Sequence, residues 1–180
     1  MRVISGIAKG LILVQPKGNS TKPTRDNVKE SMFNLIDFFG KFESILDLFA
    51  GSGSLGIEAL SRGCEFGVFV DRSIFAIESI KTNLKRAKFE NHAKVIRSDS
   101  IKFLKKCMLK FDVIFLDPPY SGNFLNKSLD IVRKNSILNE DGLIVIESEL
   151  NGEKVSDKFV LCLKTVKYGR NVIYICRLKS

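Results

Sequence analysis

Residues Ile45 to Leu60, ILDLFAGSGSLGIEAL, pass from an apolar run through two closely spaced glycines into a second apolar stretch. Ile45 to Phe49 carries one interior acid, Asp47, and suits a strand buried between covering helices. Ala50-Gly51-Ser52-Gly53 cannot continue that strand. Adjacent glycines and a serine favour a tight turn with close backbone approach. Leu55, Ile57, Ala59 and Leu60 then supply the apolar content of a helix that begins near Gly53. Strand, turn and helix together present free backbone N–H groups and a helix N-terminus above the sheet. Gly51, Gly53 and Gly56 satisfy G-x-G-x-x-G, and Asp71 follows Gly51 by 20 residues, at the end of another apolar run. That spacing matches a dinucleotide fingerprint with an acid placed for ribose hydroxyls.

The fingerprint by itself does not choose a ligand. Nicotinamide, flavin and S-adenosylmethionine sites share it, and glycine turns also close strand–helix units that bind nothing. The chain after it alternates. Phe66 to Val70 is a strand ending at Asp71; Ser73 caps a helix carrying Ile74, Ile77, Ile80, Leu84 and Ala87; Lys94 to Arg97 is a strand ending at Ser98-Asp99. A helix with Ile101, Phe103, Leu104, Cys107 and Met108 follows, then an apolar strand, Val113 to Leu116, ending at Asp117. Phe124 to Val132 reads as a helix and Gly142 to Ile146 as a strand. This order implies a parallel sheet with helices on both faces and ligands at the C-terminal strand ends. Asp71, Asp99 and Asp117 share that rim.

Phe159 to Val166 and Val172 to Cys176 break the alternation, because Tyr168-Gly169-Arg170-Asn171 is too short a link for anything but antiparallel pairing. The expected architecture is an α/β, Rossmann-like seven-stranded sheet, mostly parallel, finished by an antiparallel hairpin. It looks like the sheet of class I S-adenosylmethionine-dependent methyltransferases.

Upstream, Gly6 and Gly10 fit a small β-hairpin that cannot bury much alone and must dock on the main domain. Residues 1–23 are therefore expected to form an N-terminal β extension and loop, and 24–180 the main domain. Thr24 is a plausible N-cap. Val28, Met32, Leu35, Ile36 and Phe39 give a helix from about Arg25 to Phe39 with one apolar face. Arg25, Asp26, Lys29 and Glu30 in its first turns are either a solvated helix start or a polar surface beside the cleft.

A chain of 180 residues, 44% hydrophobic and 27% charged, fits one soluble domain with a substantial core. No apolar run has the length of a membrane span and the start lacks a secretory core, so a cytoplasmic location is expected. Cys64, Cys107, Cys162 and Cys176 lie far apart in sequence with one histidine, His92, in the chain. Buried free thiols are expected rather than a metal site or disulfides. With 29 basic against 20 acidic residues the net charge is +9, which raises the prior for a polyanionic partner. The clusters Lys81, Lys85, Arg86, Lys88 and Lys102, Lys105, Lys106, Lys110 read as solvated helix faces. Nothing suggests a large exposed apolar face, so a monomer is expected.

Asp117-Pro118-Pro119-Tyr120 names the chemistry. Two prolines make a rigid turn, but rigidity alone does not explain an acid and an aromatic beside a nucleotide site. Asp117 can accept a hydrogen bond from an amino group, the prolines hold neighbouring carbonyls outward, and Tyr120 offers a ring for a planar base. An exocyclic base amine is a poor nucleophile because its lone pair is delocalised. Acceptors aimed at its hydrogens favour a more tetrahedral nitrogen, which is positioning and electrostatic preorganisation.

The D-P-P-Y after a D-x-F-x-G-S-G-x-L-G loop resembles an amino-methyltransferase signature. Lys22 to Leu35, KPTRDNVKESMFNL, is similar to the R-P-T-x-D-R-V-R-E-x-x-F-N segment of the bacterial RsmD-type enzymes, the 16S ribosomal RNA guanine-N2 methyltransferases. The resemblance extends from Gly6 and Gly10 through Val145-Ile146-Glu147-Ser148-Glu149 to Tyr168-Gly169. It implies methyl transfer from S-adenosyl-L-methionine to N2 of one guanine, position 966, in 16S rRNA, within the small ribosomal subunit or an assembly intermediate. It also implies cofactor contacts from Asp47, Phe49, Gly51, Gly53, Asp71, Arg72, Asp99, Ser100 and Asp117. Asp117 to Tyr120 would hold the target base, and Lys9, Lys22, Thr24, Arg25 and Lys29 the RNA. Lys22, Asn27 and Lys29 depart from the arginines of the family pattern; lysine keeps the charge without the bidentate fork, and Asn27 loses it. Rival readings are an amino-methyltransferase acting on other RNA, DNA or a protein glutamine, a nicotinamide oxidoreductase, and a non-catalytic RNA-binding protein.

Overall fold

The computed structural model describes residues 1–17, 26–119 and 122–179. Its elements run α1 (Asp26–Asp37), β1 (Ser44–Asp47), α2 (Ser54–Ser61), β2 (Phe66–Asp71), α3 (Ile74–Ala87), β3 (Ala93–Arg97), α4 (Ser100–Lys106), β4 (Phe111–Leu116), α5 (Phe124–Lys134), β5 (Leu138–Glu149), β6 (Val160–Tyr168) and β7 (Asn171–Leu178). One seven-stranded sheet has the order β3-β2-β1-β4-β5-β7-β6. The first five strands in that order are parallel, and β7 pairs antiparallel with both β5 and β6. The sheet expected from the alternation and the terminal hairpin is the sheet found.

Side chains alternate across the strands, so each strand feeds two cores. Leu46, Val70, Leu116 and Ile146 point to one face, where they pack with Leu104 of α4 and Leu125, Leu129 and Val132 of α5. Ile45, Phe115 and Val145 point to the other, against Val28, Met32, Phe33 and Ile36 of α1 and Leu55 and Ala59 of α2. Phe69 extends that second face to Ile77, Ile80 and Leu84 of α3. Every residue of α2 is buried, because α1, α3 and the N-terminal segment surround it.

Three local expectations are corrected. The N-terminal hairpin shrinks to a single antiparallel bridge, Arg2 to Ile12, held by Val3 N–H to the Leu11 carbonyl at 2.9 Å and Gly10 N–H to the Val3 carbonyl at 2.9 Å. α4 ends at Lys106 because Cys107 turns extended, and Met108 is exposed rather than packed on an inner face. Cys162 is exposed and faces buried Cys176 across β6 and β7, with thiols 2.7 Å apart; a sequence separation of 14 hid that register. Among the described residues, no helix is long and apolar enough to cross a membrane.

Candidate active site at the strand ends

The glycine turn follows β1 and is built by two acids. Gly51 and Gly53 both take left-handed φ, 54° and 77°, which a side chain would strain. Asp71, at the end of β2, accepts the Gly51 N–H at 2.9 Å and the Ser73 N–H at 2.8 Å, so one carboxylate holds the loop and the start of the next helix. Asp47, at the end of β1, accepts the Gly56 N–H at 3.1 Å inside the first turn of α2. Gly56 has no room for a side chain, since a Cβ would lie 2.3 Å from the Phe69 ring.

β-sheet register brings further acids to the same rim. Asp47 is paired with Phe115 and Leu116 with Ile146, so Asp117 and Glu147 follow side by side on the face that also carries Asp47. Asp47 and Glu147 are buried, while Asp117 opens partly to the surface. Glu147 accepts the Asn171 side-chain amide at 2.6 Å. Burial pushes the Asp47 carboxyl up to about 7, against a lowering contribution from the Gly56 N–H and with a further push from Asp71. Burial, then Glu147, then Asp47 drive the Asp117 carboxyl well above its ordinary range. Among the described residues no basic side chain forms an ion pair with Asp47 or Asp117. The rim is short of positive charge.

The remaining candidate residues have the following surroundings. Asp99 caps α4 by accepting the Lys102 N–H at 3.0 Å, and the adjacent Ser98 N–H reaches the Asp71 carbonyl at 3.0 Å. Ser100 is buried as the first residue of α4. Phe49 is half-buried and meets the Phe124 ring edge-on at 6.4 Å. Arg72 is exposed, and its carbonyl accepts from Arg97 Nε at 3.3 Å. Pro118 is half-buried and Pro119 exposed, directly beyond β4. Lys9 is exposed on the N-terminal segment. Tyr120, Lys22, Thr24 and Arg25 lie outside the described residues.

Lys29 is not where an RNA contact requires it to be. Its side chain is 0% exposed, and its ammonium bonds the Arg2 carbonyl at 2.6 Å, Ser54 Oγ at 3.1 Å and Glu58 at 3.2 Å. Burial lowers its pKa, and Glu58 opposes that shift. The lysine at this position therefore concerns an internal ion pair and not the grip on a phosphate backbone. Glu147 is the residue that the sequence reading left without a role. The signal was present: like Asp71 and Asp117, it is an acid that directly follows an apolar run, Leu143 to Ile146.

The family model described as Conserved hypothetical protein 95 matches residues 1–177. The chain is 48% identical over 152 residues to the putative rRNA methyltransferase YlbH of Bacillus subtilis, covering 83% of each. It is 36% identical over 152 residues to ribosomal RNA small subunit methyltransferase D of Haemophilus influenzae, covering 83% of this chain and 79% of that one. The solved structure of the putative methyltransferase yhhF from Escherichia coli superimposes with a TM-score of 0.85 at 28% identity, covering 100% of this chain and 98% of that one. Fold and sequence agree, and the chain belongs to the RsmD-type methyltransferase family.

Proposed function

We propose that the protein transfers a methyl group from S-adenosyl-L-methionine to the N2 amine of a guanine, position 966, in 16S ribosomal RNA, within the small subunit or its assembly intermediate in the bacterial cytoplasm. The observation that carries the cofactor is the charge of the rim. Asp47 is buried and Asp117 half-buried, each beside another carboxylate and without a basic partner among the described residues, so a ligand bearing an ammonium and a sulfonium suits them. A nicotinamide dinucleotide brings phosphates instead and would add repulsion.

When bound, the cofactor supplies an electrophilic methyl group on its sulfonium. The chain's residues bind and orient. Asp47 with Gly51 and Gly53 faces the methionine end, Asp71 the ribose and Asp99 the adenine amine, while Phe49, Arg72 and Ser100 complete the walls. Asp117, Pro118, Pro119 and Tyr120 hold the base: the carboxylate accepts an amine hydrogen and the stiff prolines fix the carbonyls beside it. Lys9, Lys22, Thr24 and Arg25 face the RNA backbone. The protein acts as a monomer, with residues 1–23 as an extension of the catalytic domain.

The test offers radiolabelled S-adenosylmethionine with protein-free 16S RNA, assembled small subunits and duplex DNA, followed by digestion to nucleosides. Label in N2-methylguanosine is the expected result, and the RNA form that carries it identifies the physical substrate. Label on adenine or cytosine would overturn the acceptor assignment.

A further inference from the structure

The N-terminal segment and the glycine loop are joined by two buried side chains. Ser52 and Ser54 flank Gly53, the left-handed residue that starts α2 without a side-chain cap. On one side, Lys29 Nζ donates to Ser54 Oγ at 3.1 Å and to the Arg2 carbonyl at 2.6 Å. On the other, Asn83 Nδ2 donates to the Ser52 carbonyl at 2.9 Å and the Val14 carbonyl at 2.9 Å, while its Oδ1 accepts the Val14 N–H at 2.8 Å. Both side chains are 0% exposed. Each arm of the N-terminal segment, at Arg2 and at Val14, is thus bonded through one side chain to one shoulder of Gly53.

The rest of the segment is fastened along α2 and α3. Glu58 accepts the Ile4 N–H at 2.8 Å and the Ser5 N–H at 2.9 Å, besides its ion pairs with Lys29 and Arg62. Arg86 donates to the Ile12 carbonyl at 2.8 Å. Gly6 takes φ +80° against the end of α2, where a Cβ would lie 1.7 Å from the Ser61 carbonyl oxygen. Apolar residues could fill this volume, but they would leave the backbone groups of Arg2, Val14 and Ser52 without these partners. What they cannot do is hold two backbones at a fixed distance, which a fully bonded polar side chain does.

We propose that the N-terminal segment is a clamp on the glycine loop, with Lys29 and Asn83 as positioning residues, and that it sets cofactor affinity. This rests on the reading that the loop receives the methionine end of S-adenosylmethionine. The segment is then part of the cofactor site and not only an arm toward the RNA.

The experiment measures S-adenosylmethionine affinity by calorimetry, melting temperature, and amide exchange at residues 51–54 in the cofactor-free protein. Ser54→Ala cuts the link from the loop side and leaves the Lys29–Glu58 pair. Asn83→Ala cuts the second link, and Gly6→Ala pries the segment off α2 without touching the loop. Each is expected to raise Kd about fivefold or more, the worth of one hydrogen bond, and to speed exchange at residues 51–54. Ile7→Ser, on the same segment but with its side chain in water, is expected to change neither. A lower melting temperature with Kd within about twofold of wild type for all three variants would overturn the clamp, leaving those bonds a structural role. Wild-type protein that binds no S-adenosylmethionine would overturn the functional reading instead. Exchange at residues 51–54 would still decide the clamp.

Discussion

Asp112 and Asp117 bracket the same strand, β4, and have opposite surroundings. Asp112, near its start, accepts the Glu43 N–H at 3.0 Å, the Ser44 N–H and hydroxyl at 2.9 Å each, and the Asn139 amide at 2.6 Å. Partial burial opposes its ionisation, but Asn139, Ser44 and Glu43 together outweigh that and hold its carboxyl below the ordinary range. Asp117, just past the other end, sits in burial beside Glu147 and Asp47 and is pushed the other way. One end of the sheet spends its acid on joining strands. The other crowds its acids together under burial, which favours their protonated forms. A buried carboxylate is informative when, as for Asp47 and Asp117, no basic partner pairs with it among the described residues, not merely because it is buried.

The comparison breaks most visibly by truncating each acid. Asp117→Ala is expected to lower kcat by roughly 10²–10³, the cost of removing one preorganised charge-stabilising group, with cofactor affinity largely retained and no loss of melting temperature. An equal fall in cofactor affinity, read by calorimetry, would place Asp117 on the cofactor and not on the base. Asp112→Ala should do the reverse. It strands the donors of Glu43, Ser44 and Asn139 and is expected to cost about 1–3 kcal/mol of stability in denaturant melts, with Kd for the cofactor unmoved.

These differences were unequally legible in the amino-acid sequence. Asp71, Asp99 and Asp117 stand out because each closes a strand legible in the sequence, and the sheet's parallel order turns that linear fact into a common rim. The same rule would have found Glu147. Lys29 was misplaced by its chemistry: residues 29, 33 and 36 share a helix face, which made it an inward position, yet a lysine reads as surface. Its partner Glu58 lies 29 residues away on α2, a contact that no local pattern announces. Asn83 was hidden for the same reason. Cys162 and Cys176 meet only because the β6–β7 register, with its irregularity between Cys162 and Lys164, sets them opposite. Periodicity reveals faces; it does not reveal which polar residue the opposite face supplies.

Asp47 sharpens the comparison through pH. Its carboxyl lies at about 7 in the folded chain against an ordinary 3.8. Between those values the folded state holds a proton that the unfolded state has released, so this group's contribution to stability falls as pH rises from about 4 to 7. A cationic ligand favours the ionised form. Cofactor binding near pH 6 is therefore expected to release protons, seen as a dependence of the calorimetric enthalpy on the buffer's ionisation heat. Cofactor affinity should rise with pH up to about 7. Asp47→Asn should abolish most of the proton release; a wild-type enthalpy independent of buffer would mean that no rim acid changes protonation on binding.

The smallest effect concerns a charge that no acid pairs with among the described residues. Lys9 is exposed on the clamped segment, so truncating it removes a proposed phosphate partner and nothing internal. Lys9→Ala is expected to weaken RNA binding and to reduce the slope of log K against log salt by about one, the signature of one lost phosphate contact. Cofactor Kd and melting temperature should match wild type, which separates Lys9 from Lys29, whose removal would disturb both. A slope identical to wild type would take Lys9 off the RNA path, and the basic excess of +9 would then have to act through other residues. The segment would remain tied to the glycine loop in either case, because none of its buried bonds passes through the Lys9 side chain.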